Sequence, residues 1–433
     1  MKMNKTLLSA AVAVGLLSTS TVTQAAGFQL AEYSATGLGR AYAGEAAMAD
    51  GADAQWRNPA MLTYLEGTQV SIGAIYVDPN IDIDGTSTSV GGASTTPSNS
   101  SDFAHSAVIP NFYISHKYND KFALGFAAGT NYGMETDLGK DFGGANHGNE
   151  ASVTTMELNL NAAYQVLESV SIGGGVRYIM AEGSFGAVSS SKHSLSAAET
   201  PLKYMEGDDT AWGWQVGTAW QINENNRLGF TYKSEVDLTL EGYAKGIGFN
   251  PTNPAAHKSG SMDLALPATA EIASFHQITD KVAIHASINW TNWSSFKELV
   301  ADFPGEDSVN IKEENWEDNY RFALGTTYQM TPKLALRSGI AYDTSAVSEE
   351  HRTATIPETD RTWLSIGAGY QWSEQLTLDA GFTYILAKDA KMHESDLGTL
   401  QPFEPGADYF GGSFEGEVTG SIWLVGIQAN YRF

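Results

Sequence analysis

The closing stretch SIWLVGIQANYRF, residues 421–433, alternates: Trp423, Val425, Ile427, Ala429, Tyr431 and Phe433 fall on one face, and Gly426, Gln428, Asn430 and Arg432 on the other. A period of two is the pitch of a β-strand with one apolar side. The same parity recurs upstream. Leu378, Ala380, Phe382, Tyr384 and Leu386 stand against Thr377, Asp379, Gly381 and Thr383. Ile284, Ala286, Ile288 and Trp290 stand against His285, Ser287 and Asn289, and Trp212, Trp214, Val216 and Trp220 against Gly213, Gln215 and Gly217.

About fourteen such segments occur, near 69–77, 107–118, 121–131, 151–166, 170–182, 208–221, 226–240, 261–277, 281–292, 317–329, 333–343, 361–372, 376–388 and 418–433. Their connections alternate in length. Those at 119–120, 167–169, 223–225, 279–280, 330–332 and 373–375 are tight, whereas 78–106, 132–150, 183–207, 241–260, 293–316, 344–360 and 389–417 are long and polar. Short turns on one rim and long loops on the other are the pattern of a bacterial outer-membrane barrel, in which every backbone polar group is paired without an exposed edge. A soluble β-sandwich or solenoid needs no such asymmetry. The expected fold is therefore all-β: a transmembrane antiparallel barrel of about fourteen strands, with Trp293, Trp372 and Tyr431 expected at the interfacial aromatic girdles.

Composition narrows the function. With 25 Lys+Arg against 50 Asp+Glu, the net charge of −25 repels nucleic acid. The absence of cysteine excludes disulfides, thiolate metal sites and Cys nucleophiles. A hydrophobic content of 42% with 11% aromatics excludes a disordered acidic chain. Residues 1–25 read as a signal peptide: Lys2 and Lys5 precede the apolar run Leu7 to Leu17, which is too short to span a bilayer, and small residues follow at Ala25 and Ala26. No G-x-S-x-G, H-E-x-x-H or P-loop occurs, and Gly37-Leu38-Gly39 lacks the third glycine of a dinucleotide site. The nine histidines have no ligand spacing. No enzyme activity, cofactor or metal is expected. The acidic runs at 82–85 and 206–209 carry oxygen ligands for hard cations but match no EF-hand, and are read as solvated loop charge.

Residues 26–67 break the strand pattern. They are rich in Gly and Ala, with a helix-like stretch near 39–48. A barrel of this size has a lumen its own side chains cannot fill, so the segment reads either as a plug or as a periplasmic tail. A resemblance decides between them. Ala26-Gly27-Phe28-Gln29-Leu30, Gly37-Leu38-Gly39-Arg40-Ala41-Tyr42, Gly44-Glu45 and Arg57-Asn58-Pro59-Ala60 resemble the hatch of the FadL-type long-chain fatty acid transporters of Gram-negative outer membranes. NRLGFTYKSEV (226–236), LALP (264–267), YRFALGTTY (320–328) and IPETDRTWL (356–364) extend the resemblance over nearly the whole chain.

The resemblance implies a signal peptide (1–25), a hatch (26–67) and an outer-membrane barrel (68–433) that is monomeric and passes long-chain fatty acids by passive diffusion. Ligand would be captured at the outer loops, past lipopolysaccharide, and held in a lumenal pocket against the hatch. Phe28 would contact the acyl tail and move when ligand binds. Asn58, Pro59 and Ala60 would face a kink in the third strand, where Gly125, Gly129 and Gly133 suit a bend, although close packing across strands would also explain them. Ligand would leave sideways there, into outer-membrane lipid. Family members hold the carboxylate with a lysine just before the YRFALGTTY-like strand and an arginine near the third outer loop; here those positions fall at Glu317 and at Ser184-Phe185. Parity instead puts Arg177, Arg321 and Arg337 on the lumen face, as carboxylate partners or as partners of lumenal Asp and Glu. The short third loop (183–207) leaves the capture groove open to question. Loss of the two bases would suit the related channels for uncharged aromatic hydrocarbons, the alternative reading. The terminal Tyr431 and Phe433 resemble the signal read by the barrel-assembly machinery.

Overall fold

In a computed structural model the protein is described over residues 27–89, 94–190, 197–395 and 412–433; the expected signal segment, 1–25, lies outside them. The backbone closes on itself. Fourteen antiparallel strands form one barrel, and the first (Thr68–Thr88) pairs with the last (Ser413–Arg432) from Gln69↔Arg432 to Thr88↔Ser413. Closure removes both terminal sheet edges, so unpaired backbone groups are confined to local breaks in the wall.

Burial inverts the soluble pattern. Leu160, Ile172, Val176, Ile272, Phe322, Ile366 and Ile427 are exposed on the outer face, whereas Asn161, Ser171, Arg177, Glu271, Arg321, Ser365 and Gln428 are buried within. An apolar exterior around a polar lumen is stable in lipid. The fifth and sixth strands, Val170–Val188 and Pro201–Asn223, run further than the apolar parity indicates. In their outer ends the apolar residues are buried, as at Ala181, Phe185, Leu202 and Met205, while Glu182 and Glu206 are exposed, so the apolar-out parity of the membrane zone stops there. Loop 293–316 adds an outer hairpin, Glu298–Asp302 paired with Val309–Glu313.

Several strands are interrupted, the thirteenth briefly at 388–389 among them. The third runs as Phe122–Gly129 and Gly133–Asp137, the seventh as Asn226–Lys233 and Val236–Lys245, and the eighth as Lys258–Leu266 and Thr269–Thr279. The second strand, Ala107–Lys117, pairs with the third only between Phe112↔Ala128 and Lys117↔Ala123, so 107–111 have no ladder partner on that side. The breaks are stitched together across the lumen. Tyr132 Oη donates to the Pro267 carbonyl (2.7 Å), Lys233 Nζ to Asn131 Oδ1 (3.4 Å), and Arg177 Nη1 to the Ser234 carbonyl (3.0 Å).

Residues 27–65 are almost entirely buried among the strands. No single helix spans 39–48. Short turns occur instead: Ala35–Leu38, capped by Ser34 Oγ accepting from Gly37 N, then Glu45–Ala47, Ala54–Arg57 and Pro59–Tyr64. Stretches this short do not nucleate a stable helix in isolation, so packing against the wall holds them. At several wall glycines that packing is backbone against backbone or nearly so. A Cβ at Gly173 would collide with the backbone of Ala60, and one at Gly217 with the side chain of Asn58.

Candidate functional site

Phe28 occupies the centre of an aromatic pocket. Its ring lies 4.7 Å from Trp293, 5.9 Å from Phe296, and 6.1 Å from both Tyr132 and Trp316, mostly edge-on, the arrangement aromatic quadrupoles favour. Tyr132 comes from the break in the third strand, Trp293 and Phe296 from the turn after the ninth (Val282–Thr291), and Trp316 from the end of the outer hairpin. Val236 and Leu238, from the upper half of the seventh strand, close the same apolar cluster. Trp293 is thus fully buried rather than at a girdle, because the turn carrying it folds inward over the lumen. Trp372 and Tyr431 are exposed.

A lysine that the sequence reading did not single out stands beside Phe185, a member of the same apolar cluster. Lys312 Nζ lies 5.9 Å from the Phe185 ring and 3.8 Å from Glu394 Oε1, a long contact for an ion pair. Two residues on, Glu314 is buried and accepts from Trp316 Nε1 at 2.8 Å; burial pushes its carboxyl above the ordinary range, against the pull of Lys312. Glu317, where the resemblance sought a lysine, turns its side chain to solvent. The signal available in the sequence was the basic residue in Ile311-Lys312-Glu313-Glu314, an acidic loop close to a Trp.

Above the pocket an apolar groove runs between the outer ends of the fifth to eighth strands and the outer hairpin, lined by Phe185, Met205, Leu240, Met262, Ala301 and Phe303. The short third loop therefore does not abolish a groove at the outer rim. Below the pocket, residues 28–30 add a short patch of sheet to the broken strand: Gly133 N donates to the Phe28 carbonyl (2.7 Å), and Leu30 N to the Asn131 carbonyl (2.6 Å). Thr291 Oγ1 donates to Gln29 Oε1 (2.7 Å).

The structure corrects the expected seat of Asn58-Pro59-Ala60. Asn58 Nδ2 donates to the carbonyls of Ala46 (2.6 Å) and Thr218 (3.0 Å), while its Oδ1 accepts from Ala60 N (3.0 Å). The motif thus packs on the fifth and sixth strands, not on the kink. The helical turn Ala54–Arg57 redirects the chain just before it, so Gln55 and Trp56 are the residues that fill the space at Gly125 and Gly129. The break itself falls between Gly129 and Gly133, where the glycines suggested a bend.

Arg177, Arg321 and Arg337 lie on the lumen face, each with a carboxylate. Arg177 grips Glu157 through two nitrogens (2.8 and 2.7 Å), Arg321 pairs with Asp343 (2.9 Å) and Arg337 with Asp379 (2.6 Å). A second network lies within residues 27–65. Arg40 bridges Glu45 (2.8 Å) and Asp50 (2.5 Å), and Tyr33 Oη donates to Glu45 Oε2 (2.5 Å). Burial would raise Asp50, but Arg40 beside it holds the carboxyl at about 2. Glu32 has no such pair, and burial pushes it up to about 7 despite the Ala31 N–H. At the C-terminus, Phe433 N donates to the Thr68 carbonyl (2.9 Å), and the rings of Tyr431 and Phe433 lie 4.8 Å apart at the closing seam.

A family model described as "Outer membrane protein transport protein (OMPP1/FadL/TodX)" matches residues 16–433. The chain is 35% identical to a long-chain fatty acid transport protein of Escherichia coli O6:H1, over 98% of this chain and 97% of that one. It is 36% identical to outer membrane protein P1 of Haemophilus influenzae, over 92% and 93%. Among solved structures, a FadL homologue of Pseudomonas aeruginosa superposes with a TM-score of 0.80 at 22% identity, over 94% of this chain and all of that one. The toluene transporter TbuX of Ralstonia pickettii superposes at 0.64 and 18% identity, over 94% and 100%. These two likenesses establish the fold.

Proposed function

Because the chain belongs to the OMPP1/FadL/TodX family of outer-membrane transport proteins, and is thus a transporter of hydrophobic compounds and not an enzyme, we propose that its cargo is long-chain fatty acids. The observation that carries this reading is the Phe28 pocket: a deep aromatic cluster continuous with Phe185, beside which the amine of Lys312 stands, suits an acyl tail and a carboxylate together. The relatives named for long-chain fatty acid transport support the same cargo.

In this reading the outer groove captures ligand from the lipopolysaccharide layer, and the acyl chain then displaces Phe28. Residues 28–30 release the break in the third strand as they move, and ligand leaves beside the unpaired 107–111 into membrane lipid. Residues 26–67 act as a hatch, with Asn58-Pro59-Ala60 as its fixed footing and Gly129 and Gly133 flanking the exit. The barrel, having no free sheet edge, works as a monomer. Tyr431 and Phe433 serve the assembly machinery.

The test is binding of oleate and of toluene to the purified, detergent-solubilised protein, compared with Lys312→Met and with Ala at Arg177, Arg321 and Arg337. Oleate binding that falls about tenfold in Lys312→Met, equivalent to about 1.4 kcal/mol, with toluene unaffected, is expected. Toluene binding without oleate binding would replace this reading with the hydrocarbon channel.

A further inference from the structure

A second cavity lies on the other side of residues 29–31 from the broken third strand. Gln29, Leu30 and Ala31 form one wall, and the eighth, ninth, tenth (Asn319–Thr331), eleventh (Leu334–Asp343) and twelfth (Arg361–Gln371) strands form the other through residues that include Asn289, Trp290, Thr291, Asp343 and Trp363. Its lining differs in kind from the aromatic pocket. Two guanidinium groups reach it, Arg57 from residues 27–65 and Arg321 from the tenth strand. Arg57 meets Glu271 through Nε at 3.2 Å; Arg321 uses Nε on Asp343 at 2.9 Å and Nη2 on the Ala41 carbonyl at 2.8 Å. A guanidinium carries five N–H donors, so each keeps donors for another acceptor. Asn289 gives Nδ2 to Glu271 Oε2 at 2.7 Å, and its buried Oδ1 has no hydrogen-bond partner.

We propose that this cavity is a second lumenal station for the carboxylate head of the fatty acid, held between Arg57 and Arg321 after it leaves Lys312. The proposal rests on the fatty acid reading above. Two features suit a station rather than a trap. Both arginines already share carboxylates, so an added anion is held by surplus donors and not by an unbalanced charge. The wall made by 29–31 is also the segment whose displacement would empty the aromatic pocket, so one movement would open both. The apolar part of the lining, Leu30, Ala31, Trp290 and Trp363, suits any hydrocarbon, whereas the two guanidinium groups add a gain for an acid alone.

The experiment measures equilibrium binding of radiolabelled oleate to the solubilised full chain and its uptake into proteoliposomes. Wild type should show two classes of site. The double variant Arg57→Gln with Glu271→Gln removes the cation together with its buried partner; it should lose the weaker class and slow uptake at least fivefold, while the tighter class stays. Ala31→Leu, which fills the cavity with the charges intact, should do the same. Two classes and wild-type uptake in both variants would overturn the station while leaving the fatty acid reading in place. No oleate binding by wild type would remove that reading and the station with it.

Discussion

Residues 35–65 and residues 27–33 belong to one continuous segment inside one barrel, yet they are held in opposite ways. The longer part is seated on the wall at positions where strand residues carry no side chain, so that Ala60 lies against the backbone of Gly173 and Asn58 fits over Gly217. Contacts this close have no slack, and interiors packed to this density do not deform gradually. Apart from Tyr33, which is anchored by Tyr113 Oη and Glu45, the shorter part is held by two backbone hydrogen bonds to a break in the third strand, one side-chain bond to Gln29, and Phe28 in an aromatic pocket. Such bonds are each worth only about 1 kcal/mol net and can be exchanged for others. A transporter that must hold its plug while letting part of it move needs both kinds of attachment.

The largest effect should come from breaking the seated part. Gly173→Val places a branched side chain where Ala60 sits and should cost at least about 3 kcal/mol or leave the segment unseated. Gly174→Ala, whose new carbon would come no closer than 3.5 Å to a neighbour, should leave thermal stability unchanged within about 0.5 kcal/mol. Differential scanning calorimetry of the purified barrels separates the two, and equal destabilisation would refute the seat.

An intermediate effect concerns the movable part and has a definite sign in pH. The Glu32 carboxyl sits at about 7 when docked, above its ordinary value of 4.5, so the docked form holds a proton that the released form gives up. Docking is fully favourable below about 4.5 and weakens as pH rises through 7, by up to about 3 kcal/mol. Amide exchange at Leu30 should therefore be faster at pH 8 than at pH 5, beyond the intrinsic base catalysis, and Glu32→Gln should abolish the difference. A pH response unchanged in that variant would assign it elsewhere.

The smallest effect sharpens the contrast. Thr291→Val removes one bond, to Gln29, and should raise exchange at Leu30 and Gly133 several-fold, about 1 kcal/mol, with no change at Asn58 or Leu65. Acceleration at all four amides would mean that the segment opens as one unit.

Much of this architecture was legible in the chain. Alternation in 421–433 and its repeats specifies strands, lumen face and barrel, because a membrane barrel imposes a period of two through its whole hydrocarbon zone. The lumenal positions of Arg177, Arg321 and Arg337 follow from the same parity. Three things were not legible. At the outer strand ends the apolar residues are the buried ones, as at Phe185, Leu202 and Met205, so the extensions to Val188 and back to Pro201 break the apolar-out parity that marks the membrane zone. Trp293 looks like any interfacial tryptophan until its turn is seen to fold inward. The seat of Asn58-Pro59-Ala60 depends on which wall glycines lie opposite it across the lumen, a pairing of residues more than a hundred positions apart that no local pattern encodes. Lys312 was missed for a related reason, since its relation to Phe185 is set by the outer hairpin and not by sequence neighbours.

The most direct measurement is residue-resolved hydrogen exchange on the solubilised protein with and without saturating oleate. Oleate should release Leu30 and Gly133 from protection while the amides of Asn58, Met61 and Leu65 stay as slow as before. Unchanged protection at Leu30 and Gly133 with oleate bound, or loss of protection along the whole of 27–65, would contradict the division into a seated and a movable part.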